Sequence, residues 1–348
     1  MFSPRVAFTL AVNREKRACW CSSESFQKLM GTEACEIIGS CNVAGFTKEK
    51  LGFFRDILSP FDIVCLQETH GVAKDSRFRT LKLGFEKGVF SLHKRASRGS
   101  AIIWKSSVKQ IGEPWTDSEG RIAAVVLKKD EGPNTLVVSV YAPNLSPSKE
   151  AQSAYVSFLI TLEYAISRML DTEKVDNIFL MGDFNLICDS ELDSLSASPT
   201  LYKVTEEALT EVLRKFDLFD VFRSLFPEET AFTYSRRGIM DRHGVRGPPV
   251  MNRLDYAFTR AETLEKVKKF EHRPTAMTDH KMVVVDCSAA APEERRRLGL
   301  WKHNDRLNHN TEFVKDLSSK LEDFIPKAQQ ECSNARGAWE AIKGKIRE

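Results

Sequence analysis

Seven side chains in this chain combine into one chemistry if they meet: Asn42, Glu68, Tyr141, Asp183, Asn185, Asp279 and His280. Each stands at the end of a short apolar run or just past it, and Asp255 stands inside one. Hard oxygen donors without cysteine suit Mg²⁺, with Mn²⁺ able to substitute, better than zinc. A carboxylate-held Mg²⁺ keeps waters and takes a further ligand from a phosphate oxygen. A second carboxylate can orient and deprotonate an attacking water. Imidazole, phenol and amide groups can donate to phosphate oxygens as charge builds on them. The inventory therefore describes phosphoester hydrolysis without a covalent intermediate. A carboxylate inside a buried strand needs a partner, and His280 is a plausible one for Asp255.

The elements that must position these residues are legible as runs of β-branched and apolar residues. Runs at 36–41, 62–66, 100–104, 121–127, 135–140, 177–181, 254–258 and 282–285 read as strands buried on both faces. Helical spacing over 48–58 (Leu51, Phe54, Ile57, Leu58), 149–170 (Tyr155, Phe158, Leu159, Leu162, Ala165) and 204–216 (Leu209, Val212, Leu213, Phe216) supplies covering layers, with Pro60 stopping the first helix. Strands covered by helices, with no alternating polar face, imply sheets sandwiched inside helical layers. Strand ends on one rim of such a sandwich can converge on a single pocket.

Composition narrows the class. A net charge of +3 over 348 residues does not by itself announce a nucleic-acid binder, so the distribution of charge has to carry that argument. The eight cysteines form no CxxC pair, which removes a zinc-finger reading and fits a reducing intracellular compartment. No apolar run reaches the length of a membrane span, and neither a membrane nor a small-molecule cofactor is expected. Residues 1–34 read as a leader without regular structure. Residues 35–288 read as the folded domain. Residues 289–348 read as a linker followed by amphipathic helices, with Phe313, Leu317, Leu321 and Phe324 on one face and Trp339, Ile342 and Ile346 on another.

Read singly, each motif is more often a turn, a cap or a solvated acid than a site. Their order changes that. Cys65-Leu66-Gln67-Glu68-Thr69-His70, Tyr141-Ala142-Pro143-Asn144, Met181-Gly182-Asp183-Phe184-Asn185, Arg253-Leu254-Asp255-Tyr256 and Thr278-Asp279-His280 together resemble the endonuclease/exonuclease/phosphatase superfamily. They look most like the apurinic-endonuclease-like domains of non-LTR, LINE-type retrotransposons. The stretches 216–223, 232–235 and 299–304 are similar to that branch as well.

The resemblance implies a four-layer α/β sandwich of two packed mixed sheets flanked by helices. It implies a Mg²⁺-dependent endonuclease that nicks one strand of double-stranded DNA and leaves a 3′-hydroxyl. Glu68, with Asn42 beside it, would hold the metal, Asp279 would be a further metal ligand or a carboxylate behind the ligands, and Asp183 would activate water. Asn185 would hold Asp183 and the phosphate in register. His280, oriented by Asp255, and Tyr141 would contact the phosphate. Many relatives carry Asp or Asn where this chain has Ala44, which leaves open whether one or two cations bind.

Between Ser235 and Arg253, a Gly/Pro-rich segment carries Arg236, Arg237, Arg242, Arg246 and Arg253. Composition alone suits a solvated loop and a DNA-contacting loop equally. Its place in the resemblance matches a loop inserted into the minor groove, with Thr233 as a supporting contact near the DNA. A second basic run, 74–98, could clamp the other side of the duplex. A nuclear or nucleocytoplasmic site of action follows, and a reverse-transcriptase domain outside this chain is an expected partner. An apurinic-site repair endonuclease, a small-phosphoester phosphatase and a catalytically decayed DNA-binding remnant are the competing readings.

Overall fold

The computed structural model describes residues 36–71, 80–94, 97–195, 203–236, 247, 249–287 and 311–331. The leader, the linker, Trp339, Ile342 and Ile346 lie outside the described residues.

Two six-stranded sheets form the centre. The first runs β13-β14-β1-β2-β4-β3, from Lys269–Arg273 (β13), Met282–Asp286 (β14), Ile37–Asn42 (β1), Ile63–Gln67 (β2), Ser100–Trp104 (β4) and Lys87–Ser91 (β3). The second runs β5-β6-β7-β8-β12-β9, from Val108–Thr116 (β5), Ile122–Lys129 (β6), Thr135–Tyr141 (β7), Asn177–Asp183 (β8), Asp255–Thr259 (β12) and Phe219–Asp220 (β9). A two-stranded hairpin, Tyr234–Arg236 (β10) with Val250–Asn252 (β11), stands apart. Each large sheet has one parallel pair, β1 with β2 and β7 with β8, and its other pairs are antiparallel.

The period-two geometry of a strand explains why these runs are apolar throughout. On β6, Ala123, Val125 and Leu127 face the other sheet, where they meet Ile63, Cys65, Ile102 and Val283. The alternate residues Ile122, Ala124 and Val126 face helices Lys149–Thr172 (α2) and Lys203–Lys215 (α3) through Leu159, Leu162, Ile166 and Leu209. On β2, Ile63 and Cys65 point inward, while Val64 and Leu66 meet Phe54 and Leu58 of helix Lys48–Leu58 (α1). The order of layers is thus helix, sheet, sheet, helix, as the sequence leads one to expect. Thr47 and Ser148 cap α1 and α2 by accepting backbone N–H groups three residues on, each cap contributing about 1 kcal/mol. Helices Val221–Leu225 (α4), Ala261–Leu264 (α5) and Thr311–Glu331 (α6) complete the described elements. No helix among the described residues is long and apolar enough to cross a membrane.

Register places the chemistry. Tyr141 pairs with Asp183 across β7 and β8, and Asp183 pairs with Asp255 across β8 and β12, so three of the expected residues form one row. In the other sheet, Asn42 pairs with Gln67 and Gln67 with Ser100. The two rows lie at the same rim.

Candidate active site

At the end of β8 the local sequence dictates the presentation. Gly182 has φ +144, and a Cβ there would fall 2.0 Å from the Val140 carbonyl oxygen, so only glycine fits. Phe184 is anchored below, edge-on to Phe258 at 5.2 Å and Tyr256 at 5.8 Å. The Tyr155 hydroxyl donates to its carbonyl at 2.6 Å. With Phe184 buried, its neighbours Asp183 and Asn185 are turned to the rim.

The Asp183 carboxylate is held from two sides. Its Oδ1 accepts the Asn185 backbone N–H at 2.9 Å, and its Oδ2 accepts from Asn42 Nδ2 at 3.0 Å. Asn185, at φ +48, donates its side-chain amide to the Ala142 carbonyl at 3.0 Å. The same Asn42 Nδ2 donates to Glu68 Oε1 at 2.9 Å, and burial, then the nearby Glu68 and Asp183 carboxylates, push the Tyr141 phenol above its usual range. Asn42 Oδ1 accepts the Ala44 backbone N–H at 3.0 Å, so Ala44 supports Asn42 through its backbone. One asparagine from the first sheet therefore ties together carboxylates that follow strands of different sheets.

His280 Nδ1 lies 2.8 Å from Asp255 Oδ2, and its Nε2 lies 3.9 Å from Asp183 Oδ2. Asp183, Asp255 and His280 are all buried, with one ligand atom from each lying within 4.8 Å of the others. Burial disfavours the imidazolium. The Asp255 carboxylate outweighs it by charge and hydrogen bond, Asp183 and Asp279 add to this, and the His280 pKa is raised to about 10. Burial pushes Asp183 above the usual carboxylate range. His280 pulls it back, Asp255 pushes it further up, and the bonds from Asn42 and Asn185 favour its charge.

The donor set fits a divalent cation. Glu68, Asp183 and Asp255 bring three carboxylates to one rim, and Asp255 Oδ1 is buried without a hydrogen-bond partner. Such an excess of buried negative charge calls for a counter-charge, and oxygen donors with one amide suit Mg²⁺ or Mn²⁺.

Several expectations need correction. Asp279 is exposed and lies outside the close acidic group. Its backbone carbonyl accepts from Ser235 N–H, and its carboxylate reaches the site only as one of the charges raising the His280 pKa. Thr233 is 1% exposed, and its Oγ1 accepts the backbone N–H groups of Leu254 and Asp255, both at 3.0 Å. It holds the Asp255 strand from within the protein rather than meeting DNA.

Arg253 is 1% exposed. Its guanidinium clamps Asp193 at 2.8 and 2.7 Å and Asp220 at 2.7 Å, and lies 4.4 Å from the centre of the Tyr256 ring. A buried cation needs such partners, and with them Arg253 cannot reach a duplex. Arg236 is exposed at the end of β10, whereas Arg237, Arg242 and Arg246 lie outside the described residues. In the second basic run, Lys82, Lys87 and Lys94 are exposed, and Arg98 pairs with Glu119 at 2.7 Å.

Sequence reasoning assigned nothing to three further groups. Gln67 is fully buried and donates from Nε2 to Ser139 Oγ at 3.1 Å and Ser40 Oγ at 3.2 Å, joining the two sheets beside Glu68. An uncharged polar residue inside a buried run was the available signal. Arg121 stands over the Tyr141 ring at 5.5 Å and donates to the Tyr141 carbonyl at 3.0 Å. His70 Nε2 lies 3.4 Å from Glu68 Oε2.

Comparison with known proteins agrees with this geometry. Residues 39–280 match the model of the endonuclease/exonuclease/phosphatase family. A transposon TX1 uncharacterized 149 kDa protein of Xenopus laevis is 24% identical over 193 residues, 54% of this chain. The chain spans 13% of that relative's length.

Among solved structures, the fold is similar to an AP endonuclease, LMAP, from Leishmania major, with a TM-score of 0.59 and 18% identity over 72% of this chain and 87% of that one. The Xenopus laevis APE2 catalytic domain gives 0.57 and 22% over 72% and 90%. The 3′ phosphatase NExo from Neisseria, bound to product DNA hairpin, gives 0.56 and 19% over 72% and 98%. With the family model matched over residues 39–280, more than half its length, this chain belongs to the endonuclease/exonuclease/phosphatase family.

Proposed function

We propose that this chain is a divalent-metal-dependent DNA endonuclease that hydrolyses one phosphodiester bond, nicks one strand and leaves a 3′-hydroxyl. The observation that carries the reading is the single rim on which Asn42 bridges Glu68 to Asp183 while Asp255 orients His280 toward Asp183. Glu68 and Asn42 would hold Mg²⁺, with Asp183 next to them. The ion, when bound, neutralises charge on a phosphate oxygen.

The chain's own residues supply the remainder. Asp183, fixed by hydrogen bonds on both oxygens, orients and deprotonates an attacking water. Its raised pKa brings its basicity closer to neutral pH, where a general base is most effective. His280 stays protonated and can donate from Nε2 to a phosphate oxygen, because Nδ1 is committed to Asp255. Tyr141 and Asn185 border the same opening and position the phosphate.

DNA as substrate is supported by the transposon relative, by the DNA-processing neighbours and by exposed Arg236 beside the site. The transposon relative favours a role in a mobile element, and target-site cleavage in the nucleus or nucleocytoplasm, in partnership with a reverse-transcriptase domain, is part of the proposal. Abasic-site repair is the second reading, favoured by the AP endonucleases among the neighbours.

Nicking of supercoiled plasmid with Mg²⁺ tests the proposal. Wild type should convert it to open circles, whereas Asp183→Ala and an EDTA control should not. Extension of the nick by a polymerase should report the 3′-hydroxyl. Wild-type protein that shifts DNA in a gel yet leaves it uncut would identify a binding remnant instead. Cleavage restricted to duplexes with an abasic site would favour the repair reading.

A further inference from the structure

We propose that His70 is a positioning residue that holds Glu68 in the side-chain conformation that receives a divalent cation. The inference rests on the metal reading given under Proposed function.

The grip on Glu68 comes from two sides, with Tyr141 nearby. Asn42 takes Oε1, and His70 Nε2 stands 3.4 Å from Oε2. Asn42 and Tyr141 approach from strand ends, and Asn42 is fully buried. His70 comes from the loop after β2 and is the half-exposed member, with 41% of its side chain accessible. It therefore closes the open side of the carboxylate.

The backbone is bent to bring it there. Glu68 has φ +51 and His70 φ +45, a left-handed conformation that costs a residue with a Cβ about 1–2 kcal/mol. Three hydrogen bonds hold the bend: His70 N–H to Arg98 O at 2.8 Å, Thr69 N–H to Gly99 O at 3.1 Å, and Gly45 N–H to Glu68 O at 2.8 Å. The ring also needs room on the neighbouring loop. Gly45 has φ +78, and a Cβ there would stand 2.8 Å from His70 Nδ1. Two loops thus accommodate one imidazole against one carboxylate, and strain maintained in this way is typical of functional positions. Carboxylates that ligate metals are themselves held by outer partners, whose loss weakens metal binding by about 10- to 100-fold.

The experiment is a calorimetric titration of the full chain with Mn²⁺, alongside thermal melts without metal, for wild type, His70→Ala and His70→Gln. Wild type should bind. His70→Ala should bind about tenfold more weakly, and the metal-free melts show whether the variant is folded at the temperature of the titration. His70→Gln, whose amide nitrogen can reach the same oxygen, should recover most of the affinity. Equal affinity in wild type and His70→Ala would overturn the inference while leaving the metal reading intact. Failure of His70→Gln to recover affinity would also overturn it, by making His70 a ligand rather than a support. Absence of Mn²⁺ binding by wild type would remove the metal reading and this inference with it.

Discussion

His280 Nδ1 and Asp255 Oδ2 are 2.8 Å apart in the interior, and this contact leaves Nε2 as the only ring nitrogen able to serve the rim. Asp255 therefore fixes both the orientation and the charge of the imidazole. The sign of the pH effect follows. Burial disfavours the protonated ring, the Asp255 carboxylate overrides it, and His280 keeps its proton until pH rises through about 10. Activity that needs this proton is present at lower pH and disappears on the alkaline side. Asp255→Asn should lower kcat about 10²-fold or more and move the alkaline limb of the pH–rate profile to lower pH. An unchanged alkaline limb would separate His280 protonation from catalysis.

Arg253 and Arg236 lie in the same basic segment but should fail in opposite ways. Arg253→Ala takes the buried guanidinium from Asp193, which keeps only Arg223 at 2.6 Å, and from Asp220, at a cost of about 3–5 kcal/mol for a broken buried pair. Urea melts should show that loss. Arg236→Ala, at an exposed position, should leave the melt unaltered and reduce the log–log salt slope of DNA affinity by about one. A salt slope that is insensitive to Arg236 would take the hairpin off the DNA.

Glu36, just before β1, should govern how stability changes from mildly acidic to neutral pH. It is 6% exposed, its Oε1 lacks a partner, and burial, then the neighbouring Asp62, raise its pKa to about 8 against the pull of Lys129. A carboxyl whose folded pKa lies above its unfolded value contributes stability fully below the unfolded value, and that contribution is lost as pH rises through the folded one. Unfolding free energy should therefore fall between about pH 4.5 and 8, by up to about 1.4 kcal/mol per pH unit from this group. Glu36→Gln should flatten that part of the curve in melts taken across the range. An identical pH dependence in the variant would assign the effect elsewhere.

The sequence revealed most about the centre of the molecule because the central strands are covered on both sides and are apolar at every position. The edge strands β3, β5 and β13 escaped notice for the converse reason. Lys87, Lys109, Glu113 and Glu271 interrupt them, and β5 also contains Gly112 and Pro114. The candidate site residues were legible since strand ends advertise polar residues after apolar runs. Arginine 253 was misread because composition reports charge and is blind to burial. Its partner Asp193 lies 60 residues away in a loop with no periodicity to mark it. Asp279 was misread through adjacency to His280, although successive residues at a strand entrance point to opposite sides.

Gln67 offers the sharpest separation between stability and chemistry, since it adjoins Glu68 yet faces the opposite way. Its amide is fully buried between the sheets and donates to Ser40 on one and Ser139 on the other, while Ser100 donates to Ser139 Oγ at 2.9 Å. Removing the amide leaves hydroxyls in an apolar interior without their partner, a cost of about 1–3 kcal/mol. Gln67→Met retains volume and isolates that cost from cavity formation. The variant should melt earlier by that amount, and at temperatures well below its midpoint it should nick plasmid within a few-fold of wild type. If Gln67→Met were as stable as wild type but inactive, the seam would be acting on Glu68 and not on the packing of the two sheets. The contrast with Asp255→Asn is then direct: one residue ties sheet to sheet, the other sets the charge of His280.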